Sequence, residues 1–237
     1  MRLYSLCIVV LFTFTSCFKE TAKITGIRDK SPTITKINYE DREILFLGMT
    51  HLAKRKFYKN AKIAITDLES KGFITYVESV SIIIDNESII DTVYAKKVRK
   101  IVGLDITISY DKIKNIFWKA FRTRFNLVGQ PPYRNLGVMN YKYVDVPYNT
   151  LIDLYEKKYG IIEMDSCDFK TDLGRTYKCK LMPVKNRNDF NREFIYELRN
   201  MFVGETIKQS KEKKILIVYG KEHLEGIKNY LEETNRP

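Results

Sequence analysis

The sequence predicts an α/β protein, a single domain with a mainly parallel central sheet flanked by helices. Three observations lead there. Short apolar runs, such as Ile44-Leu45-Phe46-Leu47 and Ile215-Leu216-Ile217-Val218-Tyr219, alternate with longer amphipathic stretches. Two of the runs end in the same pattern, Gly-x-x-His-Leu. The chain has 237 residues, 44% of them apolar and 30% charged, enough for one substantial core inside a well-solvated surface.

Residues Phe18 to about Lys36 are polar and threonine-rich, with Pro32, and read as a tether from 17 to 36 that precedes a domain at 37–237. Glu43 to Leu47 reads as a strand. A basic stretch from Arg55 to Ser70 carries Phe57, Ala61, Ala64, Ile65 and Leu68 at helical spacing, and Lys71-Gly72 closes it with a residue suited to a left-handed turn. Phe73 to Val77 is a second strand, followed by Glu78. A strand, a crossover helix and a strand favour a parallel pair.

Helical spacing recurs at about Ile89–Lys100 and Tyr110–Phe125, and Gly103-Leu104-Asp105 between them is read as a strand end. Gln130-Pro131-Pro132-Tyr133 interrupts regular structure. Tyr141 to Val146 reads as a strand, Tyr148 to Tyr159 as a helix stopped by Gly160. Ile161 to Met164 fits helix or strand. Asp189 to about Ser210 is the longest helix candidate. A strand at Ile215–Tyr219 and a helix at Leu224–Glu233 end the chain, which implies one sheet.

The N-terminus has the form of an export signal. Arg2 is followed by an uncharged apolar run, Leu3 to Phe14, too short to span about 30 Å of hydrocarbon as a helix. Phe14-Thr15-Ser16-Cys17 is similar to the lipobox of bacterial lipoproteins, which implies a signal peptide at 1–16 and a lipidated Cys17. An ordinary signal cut elsewhere is the other reading. With the lipobox, the expected location is the bacterial cell envelope, lipid-anchored at the outer membrane or the periplasmic face.

The formal net charge is +12, and removing the leader takes away only Arg2. An exported chain is not expected to meet nucleic acid, so the clusters at Lys54-Arg55-Lys56 and Lys96-Lys97 read as solvated faces or as faces over anionic headgroups. Four cysteines are present. Cys7 leaves with the leader and Cys17 is the expected lipid site. Cys167 and Cys179 flank a polar segment containing Gly174, and read as a disulfide-closed loop in an oxidising compartment or as two free thiols.

The repeated tetrapeptides are Gly48-Met49-Thr50-His51 and Gly220-Lys221-Glu222-His223, and they hold the only two histidines. With 11 glycines in 237 residues, a glycine three positions before both histidines arises by chance roughly once in four hundred. The pair therefore reads as two strand-end loops bringing two imidazoles to one site; two unrelated polar loops is the plainer alternative. Ligands bind outside the carboxyl ends of parallel strands, where His51, Glu78 and His223 are expected. Gly48 and Gly220 would let backbone or a bound cofactor approach closely.

Three stretches, Leu45 to Leu52, Ile74 to Glu78, and Leu198-Arg199-Asn200-Met201 through Lys214 to Ile227, together resemble the TraB/PrgY/GumN (TIKI-like) family, which implies a TraB/erythromycin-esterase-like fold. The resemblance spans most of the mature domain and rests on motif order and spacing. Lys221 and Glu222 stand where that family commonly has small residues, and Met49 where threonine is frequent. It implies a metal-dependent hydrolase, most of all a peptidase, acting on a peptide or protein substrate. His51, Glu78 and His223 would hold a divalent metal ion such as Mn²⁺ or Co²⁺, and Glu78 and Arg199 would serve catalysis.

Each residue also has a plainer reading. Glu78 could cap a helix or pair with lysine, Arg199 could be a buried structural ion pair, Glu222 could be a gate or simply solvated, and Asp105 is a weaker candidate. A non-catalytic cleft that binds a peptide, haem or iron for sequestration or uptake is the alternative function. No GxSxG, P-loop, GxGxxG or HExxH pattern is present, which argues against those enzyme classes.

Overall fold

A computed structural model describes residues 29–79, 92–105 and 122–233 of the protein. The expected signal, Cys17, the tether to residue 28, residues 89–91 of one expected helix and 110–121 of another lie outside the described residues.

The central sheet has five strands in the order β1-β2-β7-β4-β6. Strand β1 (Ile34–Tyr39) turns back antiparallel onto β2 (Arg42–Met49), with Glu40 in the turn at φ 49°. Ile34 to Lys36, expected in the tether, are thus part of the sheet: Ile37 and Tyr39 bury on one face, and pairing Ile34 with Leu47 extends the ladder. The remaining strands, β4 (Ile74–Val77), β6 (Tyr141–Tyr143) and β7 (Lys214–Gly220), run parallel to β2. The expected β2–β4 pair keeps its parallel direction, but β7 lies between the two strands. A second, antiparallel ladder of β3 (Leu52–Ala53) and β5 (Val128–Gly129) adds to the one sheet expected. Strand β6 is three residues long, shorter than the Tyr141–Val146 expectation.

Helices cover both faces. On one side α1 (Arg55–Ser70) buries Phe57, Tyr58, Ala61, Ile65 and Leu68 against Leu47, Leu216 and Val218. Gly72 ends it at φ 87°. On the other side α6 (Arg199–Gln209) and α7 (Leu224–Glu233) pack Val203, Ile207, Ile227 and Leu231 on Phe46, Ile215 and Ile217. Strand β7 is therefore apolar on both faces, as a central parallel strand must be. Burying each such side chain contributes about 1.5–3 kcal/mol.

A third cluster joins α2 (Thr92–Val102), α3 (Tyr148–Tyr159) and the segment that leads into α6. That segment begins as α5 (Val184–Asp189), after the short α4 (Ser166–Lys170), and widens to a π-helical stretch at Phe190–Leu198. The long helix expected from Asp189 thus starts earlier and is not uniformly α-helical. Phe190 and Phe194 stack at 5.7 Å inside the cluster. Gly103-Leu104-Asp105 is the end of α2 and not of a strand: Gly103 takes φ 76°, and its N–H donates to the Arg99 carbonyl at 2.8 Å. Cys167 and Cys179 are bonded, with Cα atoms 5.8 Å apart. Buried Arg99 holds that loop by donating to the carbonyls of Asp168, Thr171 and Asp172. No helix among the described residues is long and apolar enough to cross a membrane.

Candidate functional site

The parallel strands β2, β7, β4 and β6 all end at one edge of the sheet, so the residues just past them share a neighbourhood. His51 follows β2, Lys221 to His223 follow β7, Glu78 follows β4 and Asp145 follows β6. Arg199, the first residue of α6, reaches in from the helical side. Together these elements border a cavity of about 600 Å³, with His51, Glu78, Arg199, Gly220 and His223 in its lining. That volume suits a drug-sized ligand or a short peptide segment.

Arg199 is the hub. It is 3% exposed. Its Nε donates to Asp145 Oδ1 at 2.8 Å and its Nη2 to Asp145 Oδ2 at 2.9 Å, a bidentate clamp. Nη2 also donates to Glu78 Oε1 at 2.6 Å and to the Tyr219 hydroxyl at 3.3 Å. Burial works against the cation, but the Asp145 hydrogen bonds and the surrounding negative charge outweigh it and push its pKa up. Glu78 is held in turn: its Oε2 accepts the Gly220 N–H at 2.8 Å. Burial alone would raise the Glu78 pKa, yet the charge and hydrogen bond of Arg199 prevail and hold it below the usual carboxylate range. Asp145 accepts two further backbone N–H groups, Ser79 at 3.0 Å and Val146 at 2.8 Å.

His223 is buried between Tyr196 and the edge-on ring of Tyr219. Its Nδ1 lies 2.7 Å from Asn200 Oδ1, so Nδ1 carries the proton and donates. Nε2 then presents its lone pair to Arg199 Nη1, 3.4 Å away. Burial first, and the Arg199 charge second, bring the His223 pKa down to about 4, and the ring is neutral near pH 7.

His51 is the solvent-facing imidazole. The backbone around it is fixed: Gln130 N–H donates to the His51 carbonyl at 2.9 Å, continuing the β3–β5 ladder, and the Tyr58 hydroxyl donates to the Thr50 carbonyl at 2.8 Å. Although the ring meets solvent, enough protein surrounds it for desolvation to lower its pKa; Glu78 opposes that and Arg199 adds to it.

The two glycines act by close approach and not by a left-handed turn. Gly220 has φ −52°. A Cβ on it would sit 3.3 Å from Glu78 Oε2 and 3.5 Å from His223 Cδ2. Gly48 is still inside β2, paired with Tyr219, and a Cβ there would meet Lys221 Cβ at 3.1 Å. It borders a smaller cavity of about 240 Å³ on the other side of Lys221. Asp105 reaches the wall of the main cavity and accepts the Gly174 N–H of the disulfide loop. Glu222 is exposed at the rim.

As arranged, His51, Glu78 and His223 do not fit a divalent cation. The lone pair of His223 is directed at a guanidinium, and both oxygens of Glu78 already accept from protein donors. No three His, Cys, Asp or Glu residues among the described residues are grouped to hold a metal ion. Arg199 supplies the positive charge that a metal would bring.

Sequence reasoning missed Asp145 and gave Asn200 no role. Asp145 was detectable in principle: a carboxylate between Val144 and Val146, both buried, needs a partner. Asn200 fixes the proton on His223. Gly226 makes room for it, because a methyl there would overlap the Asn200 amide.

No family model, no curated protein and no solved structure matches the chain.

Proposed function

We propose that the cavity is a hydrolytic site in which His51 is the base and Arg199 the electrostatic catalyst. One observation carries this reading: a guanidinium gripped by two carboxylates lies beside the His223 imidazole in a cavity at the strand ends that His51 also lines. His51, neutral near pH 7, takes a proton from a water as its oxygen attacks the acyl carbon. Arg199 Nη1, which neither carboxylate engages, receives the negative charge that builds on the carbonyl oxygen. His51 then returns the proton to the leaving nitrogen or oxygen. Glu78 and Asp145 are unchanged by the cycle and keep the guanidinium in place.

The substrate class proposed is an acyl compound, the peptide bond being what the TraB/GumN resemblance implies. A base and a fixed cation of this kind contribute about 10²–10⁴-fold and 10²–10³-fold respectively. The reading includes export and lipid anchoring through Cys17 at the bacterial cell envelope, on the strength of the leader alone.

The test is hydrolysis of peptide and ester libraries by the purified chain, before and after chelation, alongside His51→Ala. Turnover that survives chelation and falls at least about a hundredfold in the variant is expected. Turnover indifferent to His51, or none on any substrate, sinks the proposal. The apolar part of the lining, with Val102, Leu104 and Ile195, favours a second reading: non-catalytic capture of a peptide or haem. Saturable binding with no turnover would select it.

A further inference from the structure

We propose that the outer face of α1 is a docking surface for anionic lipid headgroups. Helix α1 turns Phe57, Ala61, Ile65 and Leu68 into the core, and this fixes which residues face out. Arg55, Lys59 and Lys62, at i, i+4 and i+7, form one exposed stripe, with Lys56 and Lys54 beside it. None of the five enters an ion pair among the described residues. The nearest acid on the helix, Asp67, is paired with Lys71 at 2.6 Å. On the opposite face of the sheet, α7 carries Glu225, Glu232 and Glu233 against a single Lys228. The outward face of α1 is thus basic where that of α7 is mainly acidic.

Two further observations choose lipid as the occupant. The N-terminal lead-in is fastened to this helix: Asn60 Nδ2 donates to the Lys30 carbonyl at 2.9 Å and to Ser31 Oγ at 2.8 Å. About a dozen residues separate Asp29 from Cys17, a reach of at most about 40 Å. A lipidated Cys17 would thus lie within that reach of the point where the described chain meets the basic stripe, which keeps the stripe in range of the bilayer that holds the anchor. Ile63 stands in the same outward face at 59% exposure, an apolar contact that lipid would take up and a phosphodiester backbone would not. The stripe also carries no aromatic residue on which bases could stack. Each lysine or arginine near an anionic bilayer strengthens the contact several-fold, so five in one patch suffice for peripheral binding. The contact draws the His51 loop, which ends just before Lys54, towards the lipid surface.

The experiment is amine labelling of the purified full chain by a water-soluble acylating reagent, read by mass spectrometry. Vesicles of phosphatidylcholine are compared with vesicles of phosphatidylcholine and phosphatidylglycerol. Lys158, on α3, is the internal reference. Labelling of Lys56, Lys59 and Lys62 is expected to slow at least about threefold on the anionic vesicles only, and to recover in about 1 M salt, where screening acts within about 3 Å. The exposed double variant Lys59→Glu/Lys62→Glu should remove the protection of Lys56. Equal labelling on both vesicle types, protection of Lys56 that survives the charge reversal, or protection by duplex DNA in place of anionic vesicles overturns the proposal.

Discussion

Replacing Arg199 with methionine tests how the site is held together. The side chain keeps its bulk but loses every hydrogen bond to Asp145, Glu78 and Tyr219. Two carboxylates are left behind, with side chains only 1% and 13% exposed. Breaking one buried ion pair by removing a partner costs about 3–5 kcal/mol. Breaking both pairs at once costs less than twice that, because a stranded carboxyl can take up a proton. The sign of the pH dependence follows. In the native chain the Glu78 pKa is depressed, so its stabilisation is complete above the unfolded value and is lost as pH falls through the folded value. Without Arg199, burial loses its main opponents, only the weaker influences of the Gly220 N–H and the two imidazoles remain, and the Glu78 pKa is expected to rise above its ordinary value. The variant's Glu78 then binds a proton more readily folded than unfolded, and the variant gains stability on acidification. Urea unfolding followed by circular dichroism near pH 7 and near pH 5 reads both effects. The expected result is a loss of about 3–5 kcal/mol near neutrality that shrinks at the lower pH. A loss under about 1 kcal/mol, or one that grows on acidification, would refute the reasoning.

Three further predictions follow from the same geometry. Activity that uses neutral His51 should stay flat through neutral pH and fall only on an acid limb below the ordinary histidine value of 6.5, since its pKa is lowered; a rate that rises as pH drops would contradict this. Gly226→Ala should displace Asn200, loosen the proton on Nδ1 of His223 and destabilise the fold by about 1–3 kcal/mol, measured by thermal unfolding with turnover in parallel. Cys17→Ser should move the protein out of the membrane fraction of cells, and unchanged fractionation would remove the lipid anchor from the account.

Much of the fold is legible because it depends on local pattern. Helix α1 matches its spacing at both ends, and Gly72 and Gly160 stop α1 and α3 because each takes a positive φ. Strand order is not local: nothing in the β2-α1-β4 segment says that β7, about 140 residues after β4, will insert between its strands. The apolar run at Ile215–Tyr219, with no polar alternation, was the sign that this strand lies at the centre. The expected strand end at Gly103 rested on glycine alone, and glycine serves a helix end equally well.

The site divides along the same line. His51, Glu78 and His223 follow apolar runs, and Arg199 precedes one, so their placement at one cavity could be read from order and spacing. The place of Asp145 could not: its buried valine neighbours say only that it needs a partner, while β6 is a three-residue edge strand and that partner lies 54 residues away on a helix. Nor does a motif reveal that the guanidinium occupies the space between carboxylate and imidazole where a metal ion would sit.

His51 and His223 are the only histidines of the chain, so an ¹⁵N-edited NMR titration shows two imidazoles and no others. A shared pocket organised by Arg199 requires both rings to titrate below 6.5, His223 at about 4, and both to move upward in Arg199→Met. A ring that titrates at the ordinary value and ignores the loss of Arg199 would contradict the account.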